Sequence, residues 1–164
     1  MDTVGDWMTS PAIVATDDIV LPVARQLLQT HCIRRLPVVD STGVLVGIVT
    51  EGDINRLSDA PATDVRDYDL YHCVARLPLR DFMTRKVITV TPTTPVVAVA
   101  LLLQEHRIGG LPVVEDGKVV GVISEYDLLR LFVAEHQYGP ELLPDATRDT
   151  SGLEPAVQER AVSH

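Results

Sequence analysis

The sequence predicts an α/β protein built from two β-α-β-β-α units, and three observations carry that prediction. The first is internal repetition. Shifted by 75 residues, "MTSPAIVAT" (8–16) falls on "MTRKVITVT" (83–91), and "LLQTHCIRRLPVVD" (27–40) falls on "LLQEHRIGGLPVVE" (102–115). With one residue dropped in a turn, "GVLVGIVTEGDINRL" (43–57) falls on "GKVVGVISEYDLLRL" (117–131). Roughly twenty of about fifty aligned positions are identical, too many for composition alone to produce. The second observation is that apolar periodicity switches between the strand and helix patterns at matching places in both copies. The third is composition: 46% of the 164 residues are apolar and only 4% aromatic, which suits valine-rich strands packed on short helices.

The elements follow in order. Ala12 to Thr16 alternates and reads as a short strand. Asp17 and Asp18 offer helix caps, and Pro22 is tolerated in a first turn. Val20, Val23, Ala24, Leu27 and Leu28 then recur at helical spacing up to about His31. In the second copy Thr93 and Thr94 cap, Pro95 starts, and Val99, Leu102 and Leu103 fill the same face. "LPVVD" and "LVGIVT" are β-rich runs joined by a Ser-Thr-Gly turn, replaced by Asp116-Gly117 in the second copy. A helix follows each hairpin, over Asp53 to Leu57 and Asp127 to about His136. Between the copies, Asp64 to Leu77 has the composition of an acidic linking helix. Beyond Tyr138 the tail is rich in proline and glycine, with a short helix expected over Glu154 to Val162.

Charge and cysteine usage exclude several function classes. A net charge of −9 sets the chain against DNA, RNA and anionic membranes as a whole. Met1 to Met8 shows no basic start leading into an apolar stretch, so no signal peptide is expected. The longest apolar run, Val96 to Leu103, is too short to cross a bilayer. Cys32 and Cys73 have no metal-type spacing and make no disulfide framework, so a cytoplasmic protein with reduced thiols is expected. There is no phosphate-binding P-loop and no nucleophile-base set, so the chain is not expected to be an enzyme.

The chemistry lies in "GIVTEGD" (47–53) and its echo "GVISEYD" (121–127). Thr50 and Asp53, like Ser124 and Asp127, have the spacing of a capping box, in which a hydroxyl and an acid three residues on satisfy the first helical amides. The context adds a second reading. Gly47 and Gly121 let another group approach closely, and the helix that follows favours an anion. Arg34 and Arg35 offer guanidinium forks for phosphate, and an ionised aspartate at a helix start suits the hydroxyls of a ribose.

Both copies resemble the cystathionine-β-synthase (CBS) domain, and the pair resembles a Bateman module. The residues that carry this are "MTxxxIxxT", "LPVV" before a turn, and the glycine-to-aspartate stretch running into a helix, over about 7–57 and 82–136. "IRRLPVVD" (33–40) is also similar to a segment of the γ subunits of AMP-activated kinases, which implies Arg34 and Arg35 as phosphate contacts. The resemblance implies two units packed sheet against sheet with pseudo-twofold symmetry: unit 1 over 1–57, a linker over 58–80, unit 2 over 81–138 and a loose tail over 139–164. Two clefts would then take adenosine compounds such as AMP, ADP, ATP or S-adenosylmethionine. It further implies Asp53 and Asp127 as ribose ligands and Thr50 and Ser124 as phosphate hydroxyls. Base contacts would come from Ala12 and Ile13, from Val87 and Ile88, and from the segment before "LPVV", including Gly109.

Where the first copy has Arg34-Arg35 the second has Gly109-Gly110, so clefts of unequal affinity are expected, with the cleft of Asp127 the one poor in cations. His31 and His106 read as polar helix ends. The expected function is regulatory: binding of an adenine nucleotide signals to a protein partner. The alternative is a ligand-free interaction module whose acids only cap helices. A homodimer is expected through apolar flanks at Leu57, Leu128, Leu131 and Phe132.

Overall fold

The computed structural model describes residues 2–58 and 73–136. Met1–Leu129 form one compact body and Arg130–His164 another, of which only the last turns of one helix are described. Among the described residues, every strand and both apolar cores belong to the first body. Of the expected linking helix, only 73–77 fall within the described residues, helical at 73–75; the expected helix over Glu154 to Val162 lies outside them.

The chain runs α1 (Val4–Trp7), β1 (Ala15–Thr16), α2 (Leu21–Thr30), β2 (Arg35–Val39), β3 (Leu45–Thr50) and α3 (Glu51–Ser58). After a 3-10 turn at Leu79–Asp81 come α4 (Val96–His106), β4 (Gly110–Glu115), β5 (Lys118–Ser124) and α5 (Glu125–His136). β1 pairs in parallel with β2, and β2 pairs antiparallel with β3. In the second copy Val90 bridges Val113 in parallel where β1 would stand, and β4 pairs with β5. Both hairpins carry a bulge at the same place, between Val38 and Val39 and between Val113 and Val114. The second turn has positive φ at both Asp116 and Gly117, the backbone that lets two strands reverse with matched twist.

The helices bury one face each. Leu21, Ala24 and Leu28 of α2 and Val96, Val99 and Leu103 of α4 are the buried residues, at identical spacing. The expected caps differ from what is found. Val20 and Pro95 hold the N-cap positions without a side-chain bond. Asp17 is instead tied by its backbone to Val39, and the Thr94 hydroxyl accepts from the Thr91 amide at 3.0 Å to close a preceding turn. Both helices end alike. Cys32 and Arg107 take left-handed backbone with φ of 52°, and the next amide, of Ile33 or Ile108, bonds back to Leu28 or Leu103.

Two cores result, and the segments that open each repeat are exchanged between them. Val4 of α1 is buried with Val90, Val99, Leu111 and Ile123 of the second copy. Leu79 and Met83, which open the second copy, are buried with Leu28, Leu36 and Val49 of the first. The unit expected over 1–57 therefore does not keep its own start. The exchange is reciprocal bond for bond. Val4 N–H donates to the Thr94 carbonyl at 2.9 Å, and Leu79 N–H to that of Ile19 at 2.8 Å. Thr9 bridges Val122, and Thr84 bridges Ile48. Contacts that map onto themselves when the copies are swapped are the signature of a twofold relation. Gly121 and Gly47 are required by it: a Cβ there would collide with Met8 and Met83 respectively.

Candidate functional site

Each glycine-to-aspartate stretch forms a full strand-to-helix corner. The Asp53 carboxylate accepts from the Thr50 amide at 2.9 Å and the Thr50 hydroxyl at 2.8 Å, while Asp53 N–H donates back to that hydroxyl at 3.2 Å. Asp127 accepts from the Ser124 amide and hydroxyl, both at 2.8 Å. The capping geometry is complete at Thr50 and Asp53, and its carboxylate half recurs at Ser124 and Asp127. The two aspartates differ in burial: the Asp53 side chain is 22% exposed, and Asp127 is 4% exposed.

Asp127 also lines a cavity of about 550 Å³, within the range of small-molecule sites. Of the residues expected at a site, Ala12, Ile13, Arg34, Arg35, Gly109, Ser124 and Asp127 come together there. Pro11, Ala12, Ile13, Ile33, Val122 and Leu129 give its lining an apolar part. Thr50, Asp53, Val87 and Ile88 do not line it. The cations therefore face the carboxylate of the other copy: Arg34 and Arg35 belong with Asp127. The expectation that the Asp127 cleft is poor in cations is reversed, because the two copies interleave and each cleft draws on both. Glu125, Tyr126 and Leu129 also line the cavity and were not anticipated. The one sequence signal was that Tyr126 replaces Gly52 inside an otherwise repeated motif.

Arg35 is the unusual member. Its guanidinium lies on the backbone of Gly109 and Gly110: a Cβ on Gly110 would collide with Nη1, and one on Gly109 would lie 2.7 Å from Nη2. Nη1 is buried without a hydrogen-bond partner among the described residues. Burial pushes this guanidinium below its ordinary value; Glu125 opposes the shift and Arg34 adds to it. A cationic donor left unsatisfied is costly, and an anion would relieve it. Arg34 reaches both equivalent glutamates, Glu51 at 3.6 Å and Glu125 at 4.0 Å, with most of its side chain exposed.

No helix among the described residues is long and apolar enough to cross a membrane. Of the apolar flank expected on the last helices, Leu57 and Leu128 are packed against the cores, while Phe132 is exposed along with Tyr126, Leu129 and Val133.

The family model of the CBS domain matches residues 4–60 and 79–134. An L-aspartate semialdehyde sulfurtransferase of Methanocaldococcus jannaschii is 36% identical over 79% of this chain, which spans only 23% of that protein's length. The fold is similar to the crystal structure of the CBS domain pair of protein MJ0100 in complex with 5-methylthioadenosine and S-adenosyl-L-methionine. That likeness has a TM-score of 0.69 and 33% identity, and covers 82% of this chain and 98% of the other. The crystal structure of CBSX2 in complex with AMP is similar with a TM-score of 0.70 at 28% identity, covering 83% and 99%. With its doubled α/β unit and both halves matched, the chain belongs to the CBS domain family, as a CBS domain pair.

Proposed function

We propose that this chain is a regulatory module that binds an adenosine ligand in the Asp127 cavity and passes its occupancy to a protein partner. The observation that carries the reading is Nη1 of Arg35, buried with no hydrogen-bond partner among the described residues, in a cavity also lined by Asp127 and apolar side chains. The apolar lining suits a base, the carboxylate a ribose and the guanidinium a phosphate. Similar domain pairs crystallised with AMP or S-adenosyl-L-methionine support it. The reading is one of binding, not catalysis. Binding at the cleft between interleaved copies would bias how they pack, which a partner or a second copy could read. The exposed Tyr126 and Leu129 of α5 are residues proposed to meet such a second copy.

The rival reading, a ligand-free interaction module, has its own support in the complete capping corner at Thr50 and Asp53. Thermal shift with AMP, ADP, ATP, S-adenosylmethionine and NAD separates the two. A binder gains about 2.7 kcal/mol at a hundredfold excess over Kd, and a scaffold gains nothing. Asp127→Ala should lower affinity about ten- to a hundredfold. Asp53→Ala should cost about 1 kcal/mol of stability and leave affinity within about twofold. Equal effects of the two substitutions on affinity would refute the assignment to the Asp127 cavity.

A further inference from the structure

A second concavity of about 430 Å³ adjoins the first and shares Arg34, Arg35, Gly109 and Glu125 with it. Its own contributions include Gln104 and Arg107, from the end of α4 and the residue beyond. Three guanidiniums against one carboxylate give this surface a positive balance on a chain whose net charge is −9. Arg107 is placed by backbone, not by chance of a flexible tail: its φ of 52° is locked by the Ile108 amide bonding back to Leu103 at 3.1 Å. The equivalent position in the first copy, Cys32, carries no charge and lines the main cavity.

We propose that this second concavity is the polyphosphate end of the same site, and that Arg107 reads the phosphates beyond the first. The inference rests on the adenosine reading above and deepens it: the preferred ligand is a nucleoside di- or triphosphate, not AMP or a sulfonium compound of adenosine. A chain of phosphates leaving the main cavity passes the shared Arg34 and Arg35 and reaches Arg107. Each added phosphate brings charge and acceptor oxygens to a guanidinium that offers a planar fork of donors. Glu125 is the opposing charge, 4.0 Å from Arg34, and must be outweighed or turned aside.

The experiment is calorimetric titration of the full chain with adenosine, AMP, ATP and inorganic tripolyphosphate, without magnesium. Wild type should bind ATP more tightly than AMP, and tripolyphosphate measurably. Arg107→Gly suits the left-handed backbone, so its melting temperature should hold or rise. It should weaken ATP and tripolyphosphate about tenfold and AMP less than twofold. Arg107→Lys should keep part of the effect, and Glu125→Gln should strengthen ATP several-fold. If ATP binds no better than AMP, or Arg107→Gly weakens both alike, the polyphosphate end is refuted while the adenosine reading stands. Tripolyphosphate binding that depends on Arg107, in a chain that ignores adenosine and AMP, would sink the adenosine reading and keep the anion subsite. If nothing binds, both fall.

Discussion

The two repeats enter their hairpins differently, through Arg34-Arg35 in one and Gly109-Gly110 in the other. Around a twofold relation, equivalent positions near the axis meet each other. Two large side chains cannot occupy the same place, so a duplicated motif has to differentiate there. Here Arg35 takes the space and Gly110 surrenders it, having no Cβ to collide with Nη1. Repetition built the fold, and this departure from it places both arginines at one cavity.

The exchanged opening segments are the strongest part of the comparison to break. Leu79→Ala should cost about 2–5 kcal/mol, because it empties a fully buried position. Val4→Ala should cost about 1.5 kcal/mol. The informative readout is where protection from hydrogen exchange is lost. Leu79→Ala should loosen β2 and β3 of the first copy, and Val4→Ala should loosen β4 and β5 of the second. Loss of protection in the sequence-adjacent hairpin instead would mean that the segments are not exchanged in solution.

A smaller effect tests the differentiated pair. Gly110→Ala should cost about 1–3 kcal/mol by overpacking, since the new Cβ meets Arg35 and lies 2.8 Å from the Ile123 carbonyl oxygen. Ligand affinity should fall with it, as Arg35 is driven off its seat. Adding Arg35→Ala should recover part of the stability and none of the affinity. Strict additivity of the two stability costs would show that they do not share the space.

Much of the fold was legible because the repeat fixes register twice over. Helix faces, hairpins and glycine-to-aspartate corners fall where periodicity and turn chemistry place them. What the pattern did not show was which copy each opening segment serves. Residues 8–16 read the same whether Met8 packs on Gly47 or, as found, on Gly121. That choice is tertiary, and it is also why the partners within the site were misassigned: Asp127, not Asp53, shares a cavity with Arg34 and Arg35. The caps differ for two reasons, one tertiary and one local. The Asp17 amide pairs with Val39 of β2 and the Thr94 hydroxyl closes the turn at Thr91, leaving Val20 and Pro95 at the boundaries.

The two hairpin turns give the finest comparison, and pH separates them. In the first, the Asp40 carboxylate accepts from the Thr42 hydroxyl at 2.6 Å, the Thr42 amide at 2.8 Å and the Val44 amide at 3.0 Å. The bond from the Thr42 hydroxyl, followed by that from the Val44 amide, holds this carboxyl below its ordinary value of 3.8. The second turn is made by backbone alone, with Asp116 and Gly117 both at positive φ. A carboxyl whose folded value is depressed contributes stability that is complete above its unfolded value and is lost as pH falls through the folded one. Below about pH 4 the Val44 amide should therefore begin to exchange faster relative to the Val119 amide in the other hairpin, and Asp40→Asn should remove most of that difference. The effect is local and small, because Asp40 is open to solvent. If both turns keep equal protection down to about pH 2.5, well below the ordinary carboxylate range, the first is held by its backbone as the second is, and the contrast between them is one of sequence only.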